Sequence, residues 1–500
     1  MTKILYPSLY QVNTRVWLTE LSRNLGRPAT LDDIPDAELD RLAGMGFDWV
    51  WFLSVWQTGP AGRRVSRANA EWRKEFQDTL PDLREEDIAG SGFAIRAYTV
   101  AAEAGGDAAL ARLRQRLQER GLKLMLDFVP NHMAPDHPWV EEHPEYFVAG
   151  DEELLGREPH NYTRVKGQKG NMILAYGRDP YFSGWPDTLQ LDYSNPAAQE
   201  AMINELLKIS GQCDGVRCDM AMLLLPEVFE RTWGRRPELF WPKATKKVRE
   251  QHPDFCFMAE VYWDLEWTLQ QQGFDYTYDK RLYDRLREGH ARPVREHLHA
   301  ELDYQIKLAR FLENHDEPRA AAVFDPDVHR AAAVLTYFIP GLRFFHQGQF
   351  EGRKKRISPH LVRAPEEPLD KDLAAFYDRL LAVLREPLVK SGEWQWLKCR
   401  PAWDGNGYWD SFVAHSWKGS GGERMLIAVN YAPYAGQCYL DLHFPEIKDR
   451  CVQFKDSLSS ACYIREGNEL LERGLYLDVQ PWSYHVFDLE VTNDTDFFRT

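Results

Sequence analysis

Through the first two-thirds of the chain, short continuous apolar runs alternate with longer stretches whose apolar residues recur at helical spacing. The apolar runs predict strands buried on both faces, at residues 10–17, 49–54, 122–129, 215–218, 255–259, 309–312 and 342–346. Between them, a helix opening at Asp107 carries Leu110, Leu113 and Leu117 on one stripe. Another has Asn195 as N-cap, Pro196 at its first position and Gly211 just past its end. Such alternation predicts a parallel α/β fold. Seven or eight units over roughly 350 residues suit a closed (β/α)8 TIM barrel better than an open sheet.

The rhythm breaks twice. Residues 133–191 are rich in Pro, Gly, Asp, His and aromatics without helical period, and are too long for a structureless loop. They predict a small inserted domain after the third strand, on the barrel rim where active sites lie. Beyond Pro387 the pattern becomes short alternating runs, such as those beginning at Phe412, Met425, Cys438 and Tyr484, separated by Gly, Pro and Asp turns. This predicts a C-terminal antiparallel β-sandwich. The expected organisation is a barrel from 1–132 and 192–390, an inserted domain at 133–191 and a sandwich at 391–500.

Composition narrows the partners. A formal charge of −15 argues against nucleic acid or an anionic membrane, both of which need a basic patch. A neutral substrate fits, and 17 Trp and 22 Tyr supply flat rings of the kind that stack on sugars. No run approaches the length of a membrane span, and the N-terminus has no apolar signal region. The seven cysteines are odd in number and scattered, with Cys213, Cys218 and Cys256 in apolar runs, which predicts a reduced cytoplasmic protein. No nucleotide loop, His-Glu-x-x-His or Cys-x-x-Cys is present, so no cofactor is expected.

Polar residues stand where four predicted strands end: Asp127-Phe-Val-Pro-Asn131-His132, Gly215-Val-Arg217-Cys-Asp219, Glu260, and Asn314-His315-Asp316. One carboxylate beyond a strand is ordinarily a helix cap or a solvated charge. Four in chain order, all on the face where barrels carry their chemistry, point to a catalytic constellation. Arg217, two residues before Asp219, projects to the same side of its strand. An opposite charge at that spacing favours an ionised Asp219, whereas like-charge neighbours favour a protonated Glu260.

These segments resemble the α-amylase family, glycoside hydrolase family 13, as do Leu191-Asp-Tyr-Ser-Asn-Pro196, Gly273-Phe-Asp275 and Pro340-Gly341. The resemblance extends over the whole chain. It implies a retaining mechanism with Asp219 as nucleophile, Glu260 as general acid and base, and Asp316 as the third carboxylate. It also implies that His132 and His315 bind sugar hydroxyls, that Phe93 stacks beneath the sugar, and that Asp127 orients Arg217 from below. Tyr262 and Trp263, just past the acid, are candidate platforms for the leaving group. The substrate implied is an α-glucan or oligosaccharide, with hydrolysis of α-glucosidic bonds, α-1,4 first among them. Transglycosylation or sugar isomerisation on the same carboxylates, and a non-catalytic subunit, are the alternatives.

The chain also leaves the family's pattern. Phe93-Ala94 replaces a Tyr-Asp pair, and Met222-Leu223 stands where a Lys-His pair is expected, which implies an unusual leaving-group side. Asn131 matches a calcium ligand, but Gln190 replaces its Asp partner, so the expectation is no metal, with Asn131 involved only if a calcium site persists.

Overall fold

The computed structural model describes residues 4–167 and 170–492. Eight parallel strands close into a barrel: β1 (Ser8–Asn13), β2 (Trp49–Leu53), β3 (Lys123–Phe128), β4 (Gly215–Cys218), β5 (Cys256–Ala259), β6 (Tyr276–Tyr278), β7 (Leu308–Arg310) and β8 (Leu342–His346). Each pairs with its chain neighbour, and β8 closes on β1, with Tyr10 opposite both Val50 and Phe345. Every residue of β1, β2, β4, β5, β7 and β8 is buried, which is why these strands are largely apolar, with buried polar residues such as Gln11, Arg217, Arg310 and Arg343 among them.

Two expectations about strands change. The predicted run 10–17 stops at Asn13, whose side chain accepts from Val16 N at 3.3 Å and caps the helix Thr14–Leu25, so Trp17 is helical. Strand β6 was not foreseen, because its three residues Tyr276-Thr-Tyr278 lie between Asp275 and Asp279 and make no apolar run.

Two excursions build the rim. Between β2 and β3, the strand pair Trp56–Thr58 with Ile95–Val100 encloses the helices Pro60–Ala68 and Ala70–Thr79. Between β3 and β4 come the short helices Trp139–Glu142 and Glu152–Arg157 and the hairpin Tyr162–Gly167 with Gly170–Ala175. The ends of this second excursion are tied together where His132 and Met133 pair antiparallel with Gln190 and Leu189. Its apolar residues, including Phe147, Leu174 and Leu189, join the barrel's core.

The C-terminal part holds β9 (Glu393–Trp396), β10 (Cys399–Pro401), β11 (Phe412–Lys418), β12 (Arg424–Asn430), β13 (Gly436–Leu440), β14 (Cys451–Asp456), β15 (Cys462–Glu466), β16 (Leu475–Val479) and β17 (Tyr484–Thr492). They form a six-stranded antiparallel sheet, β9-β11-β12-β17-β14-β15, and a three-stranded one, β10-β13-β16. The two enclose a core of their own around Phe412, Leu426, Cys438 and Phe487. Hydrogen bonds from Trp417 Nε1 to Phe338 O (2.8 Å) and from Tyr431 Oη to Leu286 O (2.7 Å) fasten this part to the barrel. No helix among the described residues is long and apolar enough to cross a membrane.

Candidate active site

Alternation along β4 aims Arg217 and Asp219 to one side, and the carboxyl end of β5 delivers Glu260 beside them. Arg217 is fully buried and serves both: Nη1 lies 2.5 Å from Asp219 Oδ1 and Nη2 lies 2.7 Å from Glu260 Oε2. Asp316 Oδ2 is 3.8 Å from Nη2. Trp51, Phe93 and Tyr278 surround the guanidinium, with ring centroids 5.3–5.8 Å away. Burial alone would pull its pKa down. The charges of Glu260, Tyr278, Asp219 and Asp316 reverse that and raise it.

Glu260 is pushed up to about 8, first by burial and then by the charges of Asp219 and Asp316, against the opposing pull of Arg217. The like-charge neighbours do favour the proton, as expected, but desolvation is the larger cause. Glu260 Oε2 also accepts from Met220 N at 2.7 Å, an arrangement reached because Met220 adopts a left-handed conformation at φ 43°. Tyr262 donates to Oε1 at 2.8 Å. Tyr262 thus touches the acid itself.

On the facing side, Asn314 Oδ1 accepts from the backbone N of Asp316 and Glu317 at 2.8 and 2.9 Å, fixing the turn that presents Asp316. His315 is held neutral, with burial pushing its pKa down to about 4. Its Nδ1 pairs with Gln11 Nε2 at 2.8 Å, which leaves the ring proton on Nε2, 3.1 Å from Asp316 Oδ2. His132 is likewise buried with a lowered pKa, its ring edge-on to Trp185 at 5.3 Å. Phe93 lies against His315 at 5.4 Å. Asp127 pairs across strands with Arg217, but its carboxylate accepts from Trp51 Nε1 (3.0 Å) and Ser54 N (2.7 Å), with no hydrogen bond to Arg217 among those described. It supports the floor through its hydrogen bond from Trp51, while its interaction with Arg217 is one of charge.

The three carboxylates, Phe93 and His132 open into one cavity of about 220 Å³. Its remaining walls are Trp72, Ser91, Trp185, Asp187, Thr188, Met220 and His360. None of these seven was singled out from the sequence. Trp72 and His360 meet at 4.7 Å, the histidine anchored by Ser66 Oγ at 2.8 Å. Asp187 is 3% exposed, its Oδ2 has no hydrogen-bond partner, and burial pushes it up to about 7. Trp263 sits outside this wall, 37% exposed, with its ring edge-on to Tyr181 at 5.0 Å. Met222 and Leu223 are buried in the core within the tight turn Ala221–Leu224, so neither faces the cavity.

Donor chemistry bears on the calcium expectation. Gln190 Nε2 donates to Asn131 O (2.9 Å), Asn131 Oδ1 (3.0 Å) and Leu191 O (3.1 Å). Oxygens that would face a cation face an amide instead. Calcium takes about six to eight oxygens, usually with carboxylates among them. No cluster of three or more His, Cys, Asp or Glu suited to a metal exists among the described residues. These residues do not fit the ion.

The model of the α-amylase catalytic domain matches residues 31–374. The chain belongs to the α-amylase family. Among curated members of the α-amylase family, it is 22% identical over 300 residues to α-amylase 3 of Dictyoglomus thermophilum, covering 56% of this chain and 57% of that protein. It is 27% identical over 243 residues to the α-1,4-glucan:maltose-1-phosphate maltosyltransferase of Arcanobacterium haemolyticum, covering 48% of this chain and 30% of that one. The chain thus spans about half or less of the length of these curated relatives. The α-amylase fold extends further than the sequence likeness: the maltogenic α-amylase AmyB of Thermotoga neapolitana superposes with a TM-score of 0.68 at 19% identity, over 97% of this chain and 99% of that one.

Proposed function

We propose that this α-amylase-family chain cleaves α-glucosidic bonds of short maltooligosaccharides, α-1,4 bonds first, with retention at the anomeric carbon. The observation that carries this reading is one buried guanidinium holding Asp219 by one nitrogen and Glu260 by the other, while burial keeps Glu260 protonated up to about pH 8. The ionised Asp219 attacks the anomeric carbon as the glycosidic bond breaks, and the Glu260 proton passes to the departing oxygen. Glu260, now a carboxylate, takes a proton from water, which attacks the same carbon and releases Asp219. Asp316, His132 and His315 hold the hydroxyls of the reacting sugar, and Phe93 stacks beneath it.

A cavity of about 220 Å³ suits one sugar ring better than an extended chain. Asp187, lacking a partner in its wall, accepts a hydroxyl of that ring. Seven unpaired cysteines, six of them buried, support a reducing, cytoplasmic setting. The test is a product time course on maltoheptaose with anomer detection by proton NMR. Stepwise shortening with α-configured first products is expected; β-configured first products would exclude the mechanism.

Transfer to a second sugar is favoured by one feature. Tyr181, Phe182 and Trp263 are exposed on neighbouring loops, and such rings suit an acceptor sugar. Chains longer than the substrate in the same time course would assign transglycosylation.

A further inference from the structure

A larger cavity lies apart from the three carboxylates. It measures about 690 Å³ and shares the segment 89–96 as a wall: Ala89 and Arg96 face it, while Ser91 and Phe93 face the smaller one. Arg15, Arg63 and Arg96 all line it. Arg15 donates only to neutral oxygens: Gly90 O (2.7 Å), Pro359 O (3.4 Å) and Thr58 Oγ1 (2.9 Å). Arg63 reaches Ala89 O at 3.4 Å, and Arg96 makes no hydrogen bond among those described. Among the described residues, none of the three forms an ion pair, although most guanidiniums of this chain do. Burial, with Arg63 adding to it, pulls Arg15 down to about 10 against the opposing charges of Glu103, which lines the same cavity, and Asp127.

Hydroxyl-matching groups stand in the same walls. Thr14 is 1% and Ser54 5% exposed, and neither hydroxyl has a partner. Asp136 uses Oδ2 to accept from Ala61 N at 2.9 Å, leaving Oδ1 buried and unpartnered. Three guanidiniums against two carboxylates, Asp136 and Glu103, leave these walls with an excess of positive charge, which matches a phosphoryl group, whose oxygens take paired N–H donors. The volume is far more than bare phosphate needs. The unpartnered hydroxyls and the Asp136 oxygen call for a body that carries hydroxyls of its own.

We propose that this cavity binds a sugar phosphate, with the phosphoryl group among Arg15, Arg63 and Arg96 and the sugar against Thr14, Ser54 and Asp136. The site is independent of the proposed glycosidase chemistry. Isothermal titration of the full chain in a Glu260→Gln background, which prevents turnover, compares glucose 1-phosphate, glucose 6-phosphate, inorganic phosphate and glucose.

At least one ester is expected to bind about tenfold or more tighter than glucose, and more weakly as salt is raised. Arg63→Ala/Arg96→Ala should weaken that binding about tenfold or more. Both side chains are exposed at the rim, so the double variant should keep its Tm within about 2 °C. Were it to fail to fold, the gap between ester and glucose and its salt dependence would still decide. Esters binding no better than glucose, or equally well to the double variant, would overturn the proposal. Inorganic phosphate matching both esters would overturn the sugar-binding half of it.

Discussion

The two cavities that share the 89–96 wall treat charge in opposite ways. In the smaller one, a single guanidinium, Arg217, answers three carboxylates, and its two closest contacts are 2.5 and 2.7 Å. In the larger one, three guanidiniums outnumber the wall carboxylates Glu103 and Asp136, and none of the three forms an ion pair among the described residues. A buried charge is tolerated when it is paired and hydrogen-bonded. Arg217 and its three carboxylates are therefore complete as an electrostatic unit before substrate arrives, with one proton stored on Glu260. The second keeps an excess of positive charge, which the proposed sugar phosphate complements.

Breaking the first unit should have the largest consequences. Asp219→Asn removes the nucleophile and is expected to lower kcat on maltooligosaccharides about 10⁴-fold or more, measured by reducing-sugar release, with the circular dichroism spectrum unchanged. Arg217→Met leaves two carboxylates buried without their cation and should cost about 3–5 kcal/mol in urea unfolding, along with activity.

The stored proton gives a pH signature. Glu260 titrates near 8 in the folded chain, against an ordinary value of 4.5. The folded state therefore binds this proton more tightly than the unfolded state does. Its contribution to stability is present at low pH and is lost as pH rises from its ordinary value towards about 8. The kcat/KM profile should fall on a basic limb near pH 8, and Glu260→Gln should abolish that limb.

Smaller effects probe the walls. Asp187→Ala is expected to raise KM roughly tenfold with little change in kcat, the pattern of a lost hydroxyl contact. Chelation should have the smallest effect of all. Because the Gln190 amide already satisfies Asn131 O and Oδ1, excess EDTA is expected to move Tm by less than about 1 °C.

The difference between the cavities also marks what the sequence could carry. Asp219, Glu260, Asp316, His132 and Arg217 sit at the ends of apolar runs, so local pattern placed them together once a barrel was inferred. Trp72, Asp187 and His360 come from excursions whose path is set by packing, and no local period marks them. Asn13 did carry a readable signal, an N-cap residue ahead of a helical stripe, and reading 10–17 as one apolar strand obscured it. Met222 and Leu223 invited a reading at the leaving-group side, yet the turn after Met220 buries both. The arginines of the larger cavity lie at 15, 63 and 96 on separate elements, and nothing in their spacing predicts that they converge.

The most direct test of the mechanism is to trap the intermediate. Glu260→Gln incubated with α-glucosyl fluoride, whose leaving group needs no acid, should accumulate a covalent hexosyl adduct because the base for the second step is missing. Peptide mass spectrometry is predicted to place that adduct on Asp219. An adduct on another residue, or turnover to β-glucose with no adduct at all, would contradict the assignment.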